Sequence, residues 1–187
     1  MVIDYKNQEL IKELNFWVNK ERVYVGGRTK FEGDIFRNFP AITSQDTTFV
    51  NCTFENCRIV KISRCIAENC VFQNVSNTQS HQTKFKECSF IHCYSQGPLL
   101  IINAGEINRC TFETITSFTD DGYIVYSIYE KKSKVKSIKN CRFVDCHVEN
   151  KANGLTHCVY FKPLSSRKTI SIDNVDYDTC IFENCMN

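Results

Sequence analysis

The sequence predicts an all-β fold, a right-handed parallel β-helix (solenoid) of about seven coils with an N-terminal α-helical cap. Three observations predict it. A Cys-x-Phe string returns at Cys52-Thr53-Phe54, Cys70-Val71-Phe72, Cys88-Ser89-Phe90, Cys110-Thr111-Phe112, Cys141-Arg142-Phe143 and Cys180-Ile181-Phe182, after a degenerate first copy at Asp34-Ile35-Phe36. Self-similarity at a fixed period is the mark of a solenoid. The phenylalanines Phe36, Phe54, Phe72 and Phe90 step by 18, and Phe112, Phe143 and Phe182 follow at 22, 31 and 39, as coils with expandable loops would. Within each copy the apolar residues recur at spacings of two and three, which the 3.6-residue helical period does not allow.

The cap comes first. Leu10, Ile11, Leu14, Trp17 and Val18 recur at helical spacing within residues 5–19, with Asp4 as the expected N-cap. This divides the chain into a capping helix, residues 1–20, and a β-helix domain, residues 21–187. In the repeat, five positions before each Phe stand Phe31, Phe49, Ala67, Phe85, Ile107, Ile138 and Tyr177. Three positions after it stand Phe39, Cys57, Val75, Cys93, Ile115, Cys146 and Cys185. Just before that last set come Asn38, Asn56, Asn74, His92, Thr114, Asp145 and Asn184, mostly residues that tolerate a tight corner. Val, Ile, Phe, Thr and Cys favour short strands. An 18-residue coil is too short for a βαβ unit but suits one solenoid turn, whose strands stack about 4.8 Å apart. Phe36, near one end, is expected to matter less to stability than Phe72 in the middle.

The runs Cys52-Thr53-Phe54-Glu55-Asn56-Cys57 and Cys70-Val71-Phe72-Gln73-Asn74-Val75 resemble pentapeptide-repeat sequence, with a small residue two before a central Phe. The resemblance covers roughly half the chain. It implies a quadrilateral β-helix with both side chains inward. Four five-residue sides need about twenty residues, and these coils have 18 or many more, an irregularity that the broader β-helix class of pectate-lyase-like proteins tolerates.

Twelve cysteines are the compositional outlier. Asp4, Lys6 and Glu9 interrupt the first twelve residues, which lack the apolar run of a secretion signal, so a reducing cytoplasm and free thiols are expected. No stretch has the apolar length of a membrane span. The sequons at Asn51 and Asn74 fall inside the repeat and read as chance. Cys52/Cys57, Cys65/Cys70, Cys88/Cys93, Cys141/Cys146 and Cys180/Cys185 are each five apart, which is the repeat's own spacing rather than that of a zinc site. With Val75 and Ile115 in the same column, they read as core and not as metal ligands. Cys158 lies outside the repeat and is the thiol expected to be exposed.

Catalytic signals are weak, and no enzyme activity is expected. Glycoside hydrolysis needs two carboxyl groups at a set separation. Asp120-Asp121-Gly122 offers a loop pair with no second cluster in register, and the Asn-Thr-Asp, Gly-His-Gly and Arg-Ile-Lys strings of polygalacturonases are absent. His81, His92, His147 and His157 sit in no nucleophile context. Gly26-Gly27 suits a turn better than a phosphate loop, and no cofactor is expected.

The insertions carry the asymmetric information. They emerge at one repeat position, and in a solenoid that position marks one face, often the binding face. Residues 117–175 hold ten Lys and Arg against six Asp and Glu, whereas the rest of the chain holds 13 against 15. Tyr126, Tyr129, Lys132, Lys134, Tyr160 and Arg167 are the candidate contacts, because Tyr and Arg are frequent hot spots and lysines steer association. The alternation from Tyr123 to Tyr129 also reads as a strand. Replacing residues 119–134 by a Gly-Ser turn is expected to spare the coils and abolish binding. The function expected is a non-catalytic protein-binding scaffold or regulatory subunit whose partner is another protein, with no membrane role. A carbohydrate-binding or polysaccharide-processing β-helix is the alternative. The pentapeptide-repeat resemblance implies a second alternative, a topoisomerase-binding DNA mimic, but such mimicry needs an acidic rod and a net charge of +2 has the wrong sign; nucleic acid is possible as a partner but not favoured.

Overall fold

The chain is a parallel β-solenoid, seen in a computed structural model that describes residues 1–25, 29–96, 99–103, 105–118, 123–129, 138–149, 157–163 and 180–185. For residues 101–103, 123–129, 148–149, 157–163 and 182 the description is of the backbone. Among the described residues, four sheets run along the axis. Sheet 1 carries the Phe ladder and has eight strands, sheet 2 has six, sheet 3 has eight and sheet 4 has three.

The first coil shows how 18 residues close a turn. Lys30–Glu32 belongs to sheet 2, Ile35–Arg37 to sheet 1 and Ala41–Gln45 to sheet 3. The coil therefore has three sides, not the four that a pentapeptide coil implies. A strand of sheet 4 enters only from Tyr94–Ser95 onward. The solenoid makes about five turns rather than seven.

Each corner turns through the left-handed region. Gly33, Asn51, Asn69, Glu87, Arg109 and Asn140 form one corner column, with φ between 53° and 68°. Asn38, Asn56, Asn74, His92, Thr114, Asp145 and Asn184 form the second, the corner expected from sequence, and all have positive φ. Asp46, Arg64 and Gln82 form the third. Asn tolerates this conformation, whereas a β-branched residue is strained there. Thr114, at φ 52°, should therefore be a weak point. Thr114→Asn is expected to stabilise the fold by about 1 kcal/mol, read as a higher urea midpoint at unchanged m-value.

The N-terminal segment departs from the expected cap. The helix is Gln8–Glu13, and its N-cap is Asn7, whose Oδ1 accepts the Leu10 N–H at 3.2 Å. Asp4 lies instead in the strand Val2–Asp4, which pairs in parallel with Ile35–Arg37. Asp4 is needed in that corner: its carboxylate accepts from the Lys6 N–H and from Asn38 Nδ2. Past the C-cap Leu14 the chain turns at Asn15, with φ 54°. The N–H groups of Asn15 and Phe16 return to the carbonyls of Lys12 and Ile11, a Schellman closure. Trp17 and Val18 are consequently not helical. Trp17–Asn19 forms a strand antiparallel to Arg22–Val25, and so edges sheet 3. Ile11 is fully buried, with Tyr5, Leu14 and Phe16 against the end of the core.

The core is an aromatic stack. Phe36, Phe54, Phe72, Phe90, Phe112 and Phe143 lie ring over ring, with centroids 4.6–5.1 Å apart and planes within 11°. The second column begins with Phe31 on Phe49 at 5.6 Å, and these rings meet the first column edge-on. Outside, ion pairs link successive coils, such as Arg37–Glu55 and Arg64–Asp46. Each keeps contact with solvent and adds at most about 1 kcal/mol.

Candidate interaction face

Sheet 3 takes two strands, Tyr123–Tyr129 and His157–Pro163, from the insertions. Val23, Ile42, Val60 and Thr78 of its strands are buried, and the intervening Tyr24, Thr43, Lys61 and Gln79 are half-buried or exposed. Backbone register runs from Tyr24 through Thr43, Lys61, Gln79 and Ile101 to Tyr126 and Tyr160. Two of the expected contacts, Tyr126 and Tyr160, are thus Cα partners on adjacent strands, Tyr123–Tyr129 and His157–Pro163. Tyr129 pairs with Pro163. Lys132, Lys134 and Arg167 lie outside the described residues, as do Asp120, Asp121 and Gly26-Gly27, and the Cys158 side chain is also outside them. At the opposite end of that register Trp17, 59% exposed, pairs with Tyr24 with ring centroids 4.5 Å apart.

A groove runs along the head of sheet 3. One hollow of about 640 Å³ is bounded by Asn19–Arg22, Tyr24, Pro40, Ala41, Arg58 and Ile59. The next, about 480 Å³, is bounded by Arg58, Ile59, Ser76, Asn77, Tyr94, Ser95 and Gln96. Arg58 and Ile59 border both, so the two hollows adjoin. Tyr94 is 54% exposed and leans on Phe118 at 5.0 Å. Sequence reasoning overlooked Arg22, Tyr24, Arg58 and Tyr94 because it looked for contacts in the long insertions. Arg58 follows Cys57, at the position just after each copy's last inward residue, and that position could have flagged it.

The described thiols face the interior. Cys57 Sγ donates to the Phe36 carbonyl of the preceding coil at 3.4 Å, and Cys93 Sγ to that of Phe72 at 3.4 Å. Cys146 and Cys185 repeat the contact on Phe112 and Phe143. The described cysteines are thiols, not disulfides. Burial pushes the Cys57 thiol up to about 12 and that of Cys93 up to about 11. A raised thiol pKa contributes full stability below the unfolded value of about 8.5. Above it the unfolded chain ionises while the folded one does not, so stability falls as pH rises toward 11–12. Cys57→Val with Cys93→Val copies Val75 of the same column. This double variant should lose about 2–4 kcal/mol less than the wild type between pH 8 and 10, measured by urea titration. Equal losses would show that these two thiols are not the source.

No family model and no curated protein matches the chain. Among solved structures it is similar in fold to a candidate glycosyl hydrolase from Parabacteroides merdae, at 8% identity and a TM-score of 0.42, over 100% of this chain and 91% of that one. It is also similar to QnrB1, a plasmid-mediated fluoroquinolone resistance protein, at 11% identity and a TM-score of 0.28, over 76% of this chain and 90% of that one.

Proposed function

We propose that the chain is a non-catalytic protein-binding scaffold working in a reducing cytoplasm, with sheet 3 and its flanking insertions as the binding face. One observation carries the reading. The insertions build the seven-residue strands Tyr123–Tyr129 and His157–Pro163, which pair at six positions and lengthen sheet 3. They thus extend one continuous face and align Tyr126 with Tyr160. The sequence around that pair supplies the excess of Lys and Arg, including Lys132, Lys134 and Arg167. Aromatic contact area with a basic rim suits a protein partner of acidic surface.

The reading is tested with a tagged chain in lysate and quantitative mass spectrometry of what it retains. Wild type should retain a reproducible acidic partner, and Lys132→Glu with Lys134→Glu and Arg167→Glu should release it. Release of reducing sugar from a polysaccharide by the purified chain, or full retention by the triple variant, would overturn the reading.

A further inference from the structure

We propose that the groove at the head of sheet 3 binds an extended acidic segment of a partner protein, with carboxylates against Arg22 and Arg58 and a backbone carbonyl on the Tyr94 N–H. The inference rests on the protein-binding reading and gives that partner its chemistry.

Charge is the first support. The described arginines are Arg22, Arg37, Arg58, Arg64, Arg109 and Arg142. Arg37 pairs with Glu55, Arg64 with Asp46, Arg109 with Glu87 and Arg142 with Glu183. The two left without a carboxylate among the described residues are Arg22, whose contact is the Tyr24 hydroxyl at 3.5 Å, and Arg58. Both line the groove, where Lys20 and Glu21 cancel. The fold supplies each of the other four described guanidinium groups with an acid from a neighbouring coil. In the groove that acid is left for a ligand, and a guanidinium holds a carboxylate by paired, charge-assisted hydrogen bonds.

The second support is a step in the backbone. Along this corner each coil bonds to the one before: Arg58 N–H to Phe39, Ser76 N–H to Cys57, Thr116 N–H to Cys93 and His147 N–H to Ile115. The series has no bond from the Tyr94 N–H to Val75 among the described residues. Tyr94–Ser95 is the first strand of sheet 4, so the coil leaves the stack there and its outer side is a free sheet edge. A free edge N–H is a ready donor to the carbonyl of an extended chain.

The dimensions agree. Arg22 is in register with Ala41, and Ala41 with Ile59, the residue after Arg58. Two coil steps are about 10 Å, the reach of three residues of an extended chain.

The test uses the full chain and a fluorescein-labelled decapeptide alternating Glu and Thr, followed by fluorescence anisotropy. The Glu peptide should bind, more weakly as salt rises, and a Gln/Thr peptide should not. Arg58→Ala and Arg22→Ala should each weaken it about tenfold, while Arg109→Ala should leave it unchanged. Circular dichroism confirms that these surface variants are folded. Exchange of the Tyr94 amide should slow when the peptide is present. Equal binding of the Glu and Gln peptides, indifference to Arg58→Ala, or binding of oligogalacturonate in place of the peptide would overturn the proposal. The protein-binding reading fails separately, in the lysate experiment on Lys132, Lys134 and Arg167.

Discussion

Phe72→Ala is expected to cost about 3–5 kcal/mol, a large part of the stability of a domain this size. Phe72 is fully buried between Phe54 at 4.9 Å and Phe90 at 4.6 Å, and it meets Phe85 edge-on. Removing its ring takes one member from a continuous stack, and close-packed interiors relax only partly around such a gap. Phe36→Ala should cost about the same. Its place near one end of the repeat suggested a smaller loss, but Ile3 lies against it in register, and Phe36 is fully buried and stacked on Phe54. Urea denaturation of both variants decides this. Losses below about 1 kcal/mol at either site would mean that the ladder is not the source of stability.

The sequence made the interior legible because the interior is what repeats. Every coil must present a small side chain and then a Phe to the same axis, so Cys52, Cys70 and Cys88 with Phe54, Phe72 and Phe90 stand out without any reference to the surface. The Asn38–Asn56–Asn74 corner was legible for a related reason, since Asn tolerates positive φ. The Asp46–Arg64–Gln82 corner has the same backbone but was hidden, because Arg and Gln carry no preference for it. The N-terminal segment misled because Leu10, Ile11, Leu14, Trp17 and Val18 satisfy a helical period, while pairing of Trp17–Asn19 with Arg22–Val25 outweighs that propensity. The groove was hidden for another reason. Arg58 looks like any solvated arginine until the other arginines are seen with their acids.

Replacing residues 119–134 by a short Gly-Ser turn is expected to strip the C-terminal coils rather than spare them. The expectation of a harmless deletion took these residues for a loop outside the Cys-x-Phe columns. Tyr123–Tyr129 is instead a rung of sheet 3, in parallel register with Leu100–Asn103 on one side and His157–Pro163 on the other. In a solenoid each coil is held by its neighbours, so removing a rung breaks the chain of interfaces at that point. The amides of Arg142–Val144 and Ile181–Glu183 should then exchange about a hundredfold faster, while those of Val71–Gln73 keep their protection. The denaturant m-value should fall as well, because less surface remains to be exposed. Replacing 131–137 alone leaves the strand in place and should change neither quantity. If the strands after residue 138 keep full protection in the longer replacement, the rung is dispensable and sheet 3 is not what holds the late coils together. If the shorter replacement also loosens them, the segment 131–137 is structural, and its lysines cannot serve as a clean test of binding.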